Sequence, residues 1–217
     1  MRIGAFSKTY GSRTVLDFPG CEFKPGKVCA VIGANGSGKS TFASVLAGLI
    51  PPDGKGSVLP PEVRCGFMPQ KSYAFRMSVL GNVLLNADGT GKAERLLKQL
   101  SLSELRNAGA KTLSGGETAR LALVRLLAGQ YDLLILDEPC ASMDMQSTLA
   151  AEKLITEYAG RENAAVVLIT HSLAQAERTA SEILFFDEGK LCFDPEKKEA
   201  FFRFYGSEKG KAAEVRF

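Results

Sequence analysis

Residues 33–40 read Gly-Ala-Asn-Gly-Ser-Gly-Lys-Ser and match the spacing G-x-x-x-x-G-K-[ST] at every fixed position. The apolar run 28–32 precedes this segment, and a helical pattern over 40–49 follows it. A glycine-rich turn between a strand and a helix lets successive backbone N–H groups face one anion, and the helix N-terminus adds positive potential. The segment therefore predicts a phosphate-binding loop in an α/β fold.

The residues of this loop carry the first predicted roles in nucleotide binding. Lys39 would reach the β- and γ-phosphates, and Ser40 would ligate Mg²⁺. The other loop residues predicted to bind the nucleotide are Gly33, Asn35, Gly36, Ser37, Gly38 and Thr41. The alternative is a glycine-rich turn without a ligand, and the flanking strand and helix patterns argue against it.

Two further apolar runs, 133–136 and 165–169, lack alternation and are typical of parallel strands buried on both faces. Asp137 ends the first run and Glu138 follows it, which delivers two carboxylates to the edge of the sheet where ligands bind. We expect Asp137 to hold the magnesium through water and Glu138 to act as general base on the attacking water. A solvated acidic strand end is the alternative.

The pattern also divides the chain into regions. The segment 14–23 is typical of an antiparallel edge strand. A terminal hairpin is predicted over 182–186 and 190–193. The β signal disappears between 70 and 112, where short helices are predicted, and a longer helix follows. The predicted helices cover 78–86, 92–100, 104–106 and 115–128. They indicate a helical lobe inserted into the α/β core.

Composition excludes several classes of protein. The 217 residues carry a net charge of +3, too small to indicate nucleic-acid binding by charge alone. The five cysteines include no Cys-x-x-Cys pair, so neither a disulfide framework nor a zinc cluster is expected. We expect the chain to reside in a reducing compartment. No secretion signal or apolar run of membrane-spanning length is visible. We expect the chain to reach a membrane only through a partner.

The motifs that lie between the phosphate-binding loop and the acidic strand end, and after that strand end, indicate a family. Residues 113–117, Leu-Ser-Gly-Gly-Glu, resemble the signature motif of ATP-binding cassette (ABC) ATPases. In the family's order, Tyr10 is similar to the A-loop aromatic, Gln70 to the Q-loop glutamine, 142–144 to the D-loop and His171 to the switch histidine. The resemblance covers nearly the whole chain.

The resemblance implies a role for each matching residue. Tyr10 would stack on adenine, Gln70 would touch the magnesium or the water, and His171 would contact the γ-phosphate. Ser114, Gly115 and Gly116 would bind the γ-phosphate held by the opposite subunit. The expected catalytic residues are Glu138, His171, Gln70 and Lys39. The expected magnesium ligands are Ser40, Gln70 and Asp137. The expected nucleotide contacts are those named above together with Asp144.

Each of these motifs also has a structural interpretation. Ser114-x-x-Glu117 is a capping box, but two glycines in a first helical turn cost about 1 kcal/mol each relative to alanine, which favours a role for the bare backbone. His171 could be an ordinary surface residue, and Tyr10 could pack at a sheet edge. Glu117, Cys140 and Met143 depart from the family's commoner residues. The short stretch 39–70 predicts a trimmed antiparallel subdomain without lost chemistry.

The resemblance also implies the architecture. The fold would be an α/β P-loop NTPase with a mixed, mainly parallel core sheet, an antiparallel β subdomain and an inserted α-helical subdomain. A single ABC ATPase domain would cover 1–217. Its nucleotide-binding core with the β subdomain would comprise 1–70 and 131–200, its helical signature subdomain 71–130, and its tail 201–217.

The implied function is an ATP-binding and ATP-hydrolysing subunit that powers an ABC transporter, an importer of a small solute. Its expected partners are a second copy on ATP binding, transmembrane permease subunits and a solute-binding protein, with no nucleic acid. Its expected place is the cytoplasmic face of the cell membrane. Segment 75–83 resembles importers of small oxyanions such as tungstate. The alternative is a soluble non-transport ABC ATPase of iron–sulfur assembly, translation or DNA repair.

The residues Tyr73, Phe75 and Met77 follow the predicted Q-loop and leave two interpretations open. They could form an apolar surface on which a short cytoplasmic helix of a membrane subunit docks. Equally, they could pack the helical lobe onto the core. The two alternatives differ in whether these side chains are exposed.

Overall fold

The computed structural model describes residues 1–54, 56–193, 196 and 199. Within that part, the strands are β1 (Arg2–Ile3), β2 (Phe6–Tyr10), β3 (Arg13–Phe18), β4 (Cys21–Glu22), β5 (Val28–Gly33), β6 (Cys65–Met68), β7 (Leu133–Asp137), β8 (Ala165–Ile169), β9 (Glu182–Asp187) and β10 (Lys190–Leu191). The α-helices are α1 (Lys39–Leu46), α2 (Val79–Leu84), α3 (Thr90–Gln99), α4 (Gly115–Leu127), α5 (Met145–Glu162) and α6 (Leu173–Thr179). Short 3-10 turns cover Ser103–Leu105 and Ala110–Thr112.

A mixed sheet of eight strands forms the centre, in the order β2-β3-β10-β9-β5-β8-β7-β6. The five neighbours β9, β5, β8, β7 and β6 all run parallel. Antiparallel pairing joins β10 to β9 and β2 to β3, and β1 with β4 forms a separate antiparallel pair. The expectation of a mixed, mainly parallel core sheet is confirmed.

The central strands are buried on both faces, which explains their uninterrupted apolar runs. In β7, Leu134 and Leu136 belong to the apolar cluster that also contains the buried side chains of α4 and α5. Leu133 and Ile135 belong to the opposite cluster, which contains Phe42 of α1. Successive side chains of a strand point to opposite faces, so a strand covered on both sides carries apolar residues at consecutive positions.

Several local predictions differ from the structure. The helix predicted over 40–49 ends at Leu46, and Gly48 follows at a φ of 73°, a backbone angle that ends helices. The segment 14–23 is divided between two sheets, because β3 pairs with β2 whereas β4 pairs with β1. Strands β1, β2 and β6 and helices α5 and α6 were not predicted. The predicted tail 201–217 lies outside the described residues, and the subdomain boundaries stay a prediction.

The parallel strands bring four loops to one edge of the sheet. Because β5, β6, β7 and β8 run in the same direction, their carboxyl ends lie side by side. The loops that follow them contain 33–40, 69–70, 137–138 and 170–171. Among the described residues, no helix has both the length and the apolar composition to cross a bilayer.

Candidate functional site

The loop between β5 and α1 forms one wall of a cavity of about 890 Å³. Gly33 and Gly38 have φ angles of 152° and 96°, which side chains rarely adopt. A Cβ on Gly38 would lie 2.8 Å from the carbonyl oxygen of Val15, and one on Gly33 would overlap the carbonyl oxygen of Phe186. Both the backbone angle and the packing therefore require glycine at these two positions.

The cavity brings together residues from three predicted motifs, namely the phosphate-binding loop, the Q-loop and the acidic strand end, whereas His171 does not line it. Those that line it are Asn35, Gly36, Ser37, Gly38, Lys39, Ser40, Thr41, Gln70, Asp137 and Glu138. They follow the parallel strands β5 and β7 and the edge strand β6. The sheet edge thus assembles basic, acidic and amide groups around one space, although they are up to about a hundred residues apart in the chain.

Lys39 is buried in the floor of the loop. Its ammonium group donates hydrogen bonds to the carbonyl oxygens of Gly33 and Ala34, each at 2.8 Å. Burial lowers the pKa of Lys39, and the negative charges of Glu138 and Asp137 act in the opposite direction. The cation is therefore held by neutral acceptors at the cavity wall, where it can contact an anion bound in the loop.

Asp137 and Ser40 provide the oxygens that a magnesium ion needs. Asp137 is 4% exposed, and its Oδ1 atom is buried without a hydrogen-bond partner among the described residues. Burial raises the pKa of Asp137, and a hydrogen bond from the Ser40 side chain opposes this effect. A buried carboxylate oxygen without a donor is unfavourable unless a cation or water contacts it. Since Mg²⁺ binds one or two carboxylates and hydroxyl or water oxygens, these residues fit it.

Glu138 and His171 form a hydrogen-bonded pair across the ends of β7 and β8. The Nδ1 atom of His171 lies 2.8 Å from Oε1 of Glu138, and the backbone N–H of Glu138 donates to the carbonyl oxygen of Ile169 at 3.0 Å. Glu138 has a φ of 52°, an uncommon angle for a residue other than glycine, and such strain clusters at functional sites. The pair holds one carboxylate beside the phosphate-binding loop in a defined orientation.

Tyr10 lies on β2, where it pairs with Arg13 of β3. Its side chain is exposed, and the Lys8 ammonium nitrogen lies 5.4 Å from the centre of its ring. The cavity is lined on this side by Arg13, Thr14 and Val15 and not by Tyr10. Stacking of Tyr10 on adenine stays a prediction, and the β3 residues are candidates that sequence reasoning missed.

The signature residues lie outside the cavity lining. Ser114 and Glu117 form the predicted capping box, and the hydrogen bonds that Glu117 accepts from Ser114 hold its pKa below the ordinary value. A Cβ on Gly116 would lie 2.9 Å from the carbonyl oxygen of Ser142, whereas one on Gly115 would meet nothing within 4 Å. Packing within the chain thus explains why residue 116 is glycine. It does not explain Gly115, whose backbone is open to the outside.

Asp144 joins the predicted D-loop to the signature helix. It caps α5 by accepting a hydrogen bond from the Ser147 N–H at 2.8 Å, and hydrogen bonds from Ser147 lower its pKa. Its Oδ2 atom lies 3.6 Å from Nη1 of Arg120 on α4. The direct nucleotide contact predicted for Asp144 is untested, and within the chain this residue connects α4 with α5.

The turn between β9 and β10 contributes to the cavity in a way that sequence reasoning missed. Asp187, Glu188 and Gly189 line it, and the Gly189 N–H donates to the carbonyl oxygen of Ser37 at 3.0 Å. The turn itself is visible in the sequence as Asp-Glu-Gly. Its place beside the phosphate-binding loop follows only from the pairing of β9 with β5.

A second cavity of about 280 Å³, here called the aromatic groove, lies where the segment after Gln70 meets the helical lobe. Its lining includes Phe67, Tyr73, Phe75, Leu85, Arg125 and Leu126. Tyr73 and Phe75 are 50% and 41% exposed, while one side of each ring packs on Arg125. These aromatic residues therefore pack on the helical lobe and are also partly exposed, and docking of a membrane subunit on them stays a prediction.

Comparison with known proteins shows a matching family model and similar relatives. The chain matches the family model described as ABC transporter over residues 19–141. It is 35% identical over 206 residues to the tungstate uptake system ATP-binding protein TupC of Peptoclostridium acidaminophilum, covering 87% of this chain and 95% of that protein. It is 33% identical over 194 residues to the zinc import ATP-binding protein ZnuC of Yersinia pestis, covering 88% and 77%.

Solved structures show the same fold. A dimeric ATP-binding cassette in a post-hydrolysis state with ADP and Pi aligns with a TM-score of 0.74 and 21% identity. The alignment covers 88% of this chain and 95% of that one. The expected α/β cassette fold is confirmed.

Proposed function

This chain belongs to the ABC transporter family as an importer-like ATP-binding subunit, and we propose that its cavity hydrolyses ATP to drive uptake of a small solute through separate membrane subunits. The observation that carries the proposal is the position of the Glu138–His171 pair beside the phosphate-binding loop. A carboxylate there can take a proton from a water that attacks a phosphate held by the loop.

Each residue of the cavity has a proposed task in this reaction. The backbone N–H groups of 36–39 and the Lys39 ammonium bind the β- and γ-phosphates. Glu138 accepts the proton of the attacking water, His171 orients the carboxylate and contacts the γ-phosphate, and Gln70 aligns the water. Ser40 and Asp137 hold Mg²⁺, which when bound offsets the negative charge of the phosphates.

We infer that two copies complete the site. Ser114, Gly115 and Gly116 lie outside the cavity of their own chain, and the Gly115 backbone is open. In a head-to-tail dimer the signature of one copy would contact the γ-phosphate in the loop of the other. The N-terminus of α4 would add positive potential there, which favours an anion. Asp144, through Arg120, would connect that contact with α5.

The membrane subunits would dock at the aromatic groove, and this contact would hold the chain at the inner face of the membrane. Exposed aromatic and aliphatic side chains on a groove are typical anchors for a partner helix. The solute would be selected by the membrane subunits and a solute-binding protein, since relatives of similar identity are named for tungstate and for zinc. Segment 75–83 adds a resemblance to importers of oxyanions.

The proposed function is tested by measuring phosphate release from ATP by the purified chain alone and with the membrane proteins that co-purify with it. We expect release that requires Mg²⁺ and that rises when the membrane subunits are present. Phosphate release without any associated membrane protein in a mild detergent extract would instead indicate a non-transport ATPase. Failure to bind ATP would refute the proposal entirely.

Docking at the aromatic groove makes a separate prediction. Leu85 lines the groove and is 52% exposed, so Leu85→Asp should place a charge in the contact and reduce capture of the membrane subunits at least about tenfold. Leu49→Asp is the matched control, since Leu49 is 62% exposed after α1 and does not line the groove. The measurement is a quantitative pull-down, and equal capture by both variants would place the docking surface elsewhere.

A further inference from the structure

Arg125 of α4 is a buried cation held between two aromatic rings. Its guanidinium carbon lies 4.9 Å from the ring centre of Tyr73 and 4.7 Å from that of Phe75, and the two rings meet at 84°. Its Nη2 atom donates to the carbonyl oxygen of Tyr73 at 3.1 Å. Arg125 therefore attaches the segment after Gln70 to α4.

Asn82 of α2 completes the cluster and is fully buried. Its Oδ1 atom accepts hydrogen bonds from Nη1 of Arg125 at 3.1 Å and from the backbone N–H of Phe75 at 2.9 Å. Its Nδ2 atom donates to the carbonyl oxygens of Phe75 and Ser78. Three elements, namely α2, α4 and the segment between β6 and α2, thus meet at the Arg125 side chain.

In these contacts the positive charge of Arg125 is stabilised by neutral groups, and each of them requires a particular orientation of the guanidinium. Burial lowers the pKa of Arg125, and the ring faces, the Asn82 amide oxygen and the Tyr73 carbonyl oxygen stabilise the cation instead. A guanidinium can stack its planar face on a ring and donate from its edge at the same time, whereas an ammonium cannot. The cluster is therefore specific for arginine and for its geometry.

The cluster joins two elements that carry different parts of the proposed ATP site. Gln70, three residues before Tyr73, lines the nucleotide cavity. Arg125 lies on the same helix that begins after Ser114, eleven residues or about 16 Å along its axis. A shift of the segment at Gln70 would therefore reach the signature helix through the rings of Tyr73 and Phe75 and through Arg125.

We propose that Arg125 is a positioning residue that fixes the segment 70–77 to the signature helix, so that ATP in the cavity and a partner in the aromatic groove move both elements together. The proposal rests on the proposed function, because it assumes that Gln70 responds to bound ATP. It adds a specific residue that transmits the response. Arg125 itself does not line the nucleotide cavity, and its guanidinium donates hydrogen bonds to Asn82 and Tyr73.

The chain contains no tryptophan, so a single introduced tryptophan reports on its own surroundings. Tyr73→Trp keeps an aromatic ring on Arg125 and places the probe in the aromatic groove. In a Glu138→Gln background, which should retain ATP, we expect ATP to change the emission of this tryptophan. Adding Arg125→Lys should reduce the amplitude of that change at least about threefold, while ATP affinity measured by equilibrium dialysis stays close to that of the parent.

Two further variants keep the test decisive. Arg95→Lys is the matched control, because Arg95 is exposed on α3 and its guanidinium donates a hydrogen bond to the Gly91 carbonyl of its own helix, so the amplitude should not change. Phe75→Leu removes one ring face without altering the charge and should also reduce the amplitude, which covers the case in which Arg125→Lys fails to fold. Thermal unfolding identifies such a failure.

The outcomes separate this proposal from the proposed function. Absence of ATP binding in the dialysis measurement would refute the proposed function. If ATP binds, an unchanged amplitude in folded Arg125→Lys or in Phe75→Leu would overturn the role of Arg125. A parent protein that binds ATP without any change in tryptophan emission would also overturn it.

Discussion

Glu138→Gln is expected to slow phosphate release at least about 10²-fold, the lower end of what a general base contributes. The amide cannot accept a proton from the attacking water, although it can still hydrogen-bond to His171 in place of the carboxylate. The phosphate-binding loop, Lys39 and Ser40 are untouched, so ATP should still bind. The measurements are single-turnover phosphate release and equilibrium binding of ATP to the purified variant.

Bound ATP that is not hydrolysed should also make the Glu138→Gln protein dimeric, which sedimentation velocity with and without ATP would detect. Glu157→Gln is the matched control, because Glu157 is an exposed carboxylate of α5 whose ion-pair partner is Lys153. Its turnover should equal that of the parent chain. Parental turnover in Glu138→Gln would remove this residue from the mechanism.

Mixing two inactive variants is expected to restore hydrolysis if the site is shared between copies. Lys39→Ala removes the cation of the loop, and Gly115→Asp adds a negative charge where the signature would face the γ-phosphate. Each variant alone should lose at least about 10²-fold in activity, since each homodimer lacks an intact site. In an equal mixture half of the dimers are mixed and each has one intact site, so up to about a quarter of parental activity should return.

The complementation has its own control and its own refutation. Gly91→Asp introduces the same side chain at another open glycine of the helical lobe, where a Cβ meets nothing within 4 Å, and should keep parental activity. Phosphate release is measured against the mixing ratio and should be greatest near equal amounts. Parental turnover in Gly115→Asp alone, or full activity of a monomer at high dilution, would contradict the shared site.

Much of the cavity could be predicted from local sequence patterns. The spacing of Gly33, Gly38 and Lys39 determines a backbone conformation within eight residues, and Asp137 and Glu138 are recognisable because they follow an apolar run directly. The capping box of Ser114 and Glu117 is also local, since both partners lie in one helical turn. In each case the interacting groups are so close in the chain that the spacing alone constrains the geometry.

Other features depended on strand order and long-range packing. The turn at 187–189 is recognisable as a turn, but its contact with Ser37 arises because β9 is the sheet neighbour of β5. In the same way, the place of β3 in the sheet decides that the cavity is lined by Arg13, Thr14 and Val15 and not by Tyr10. Likewise, the apolar spacing of α4 does not indicate that Arg125 is buried between two rings that lie about fifty residues earlier.

The sequence by itself determined the class of fold, the phosphate-binding loop and the acidic strand end, because these depend on hydrophobic runs and on the backbone freedom of glycine over a few residues. Only the tertiary structure decided which residues from distant segments complete the cavity, that Gly116 is required by Ser142 whereas Gly115 is open, and that Arg125 joins three elements. These contacts form between residues far apart in the chain, and their geometry follows from the order of strands and the packing of helices on the sheet.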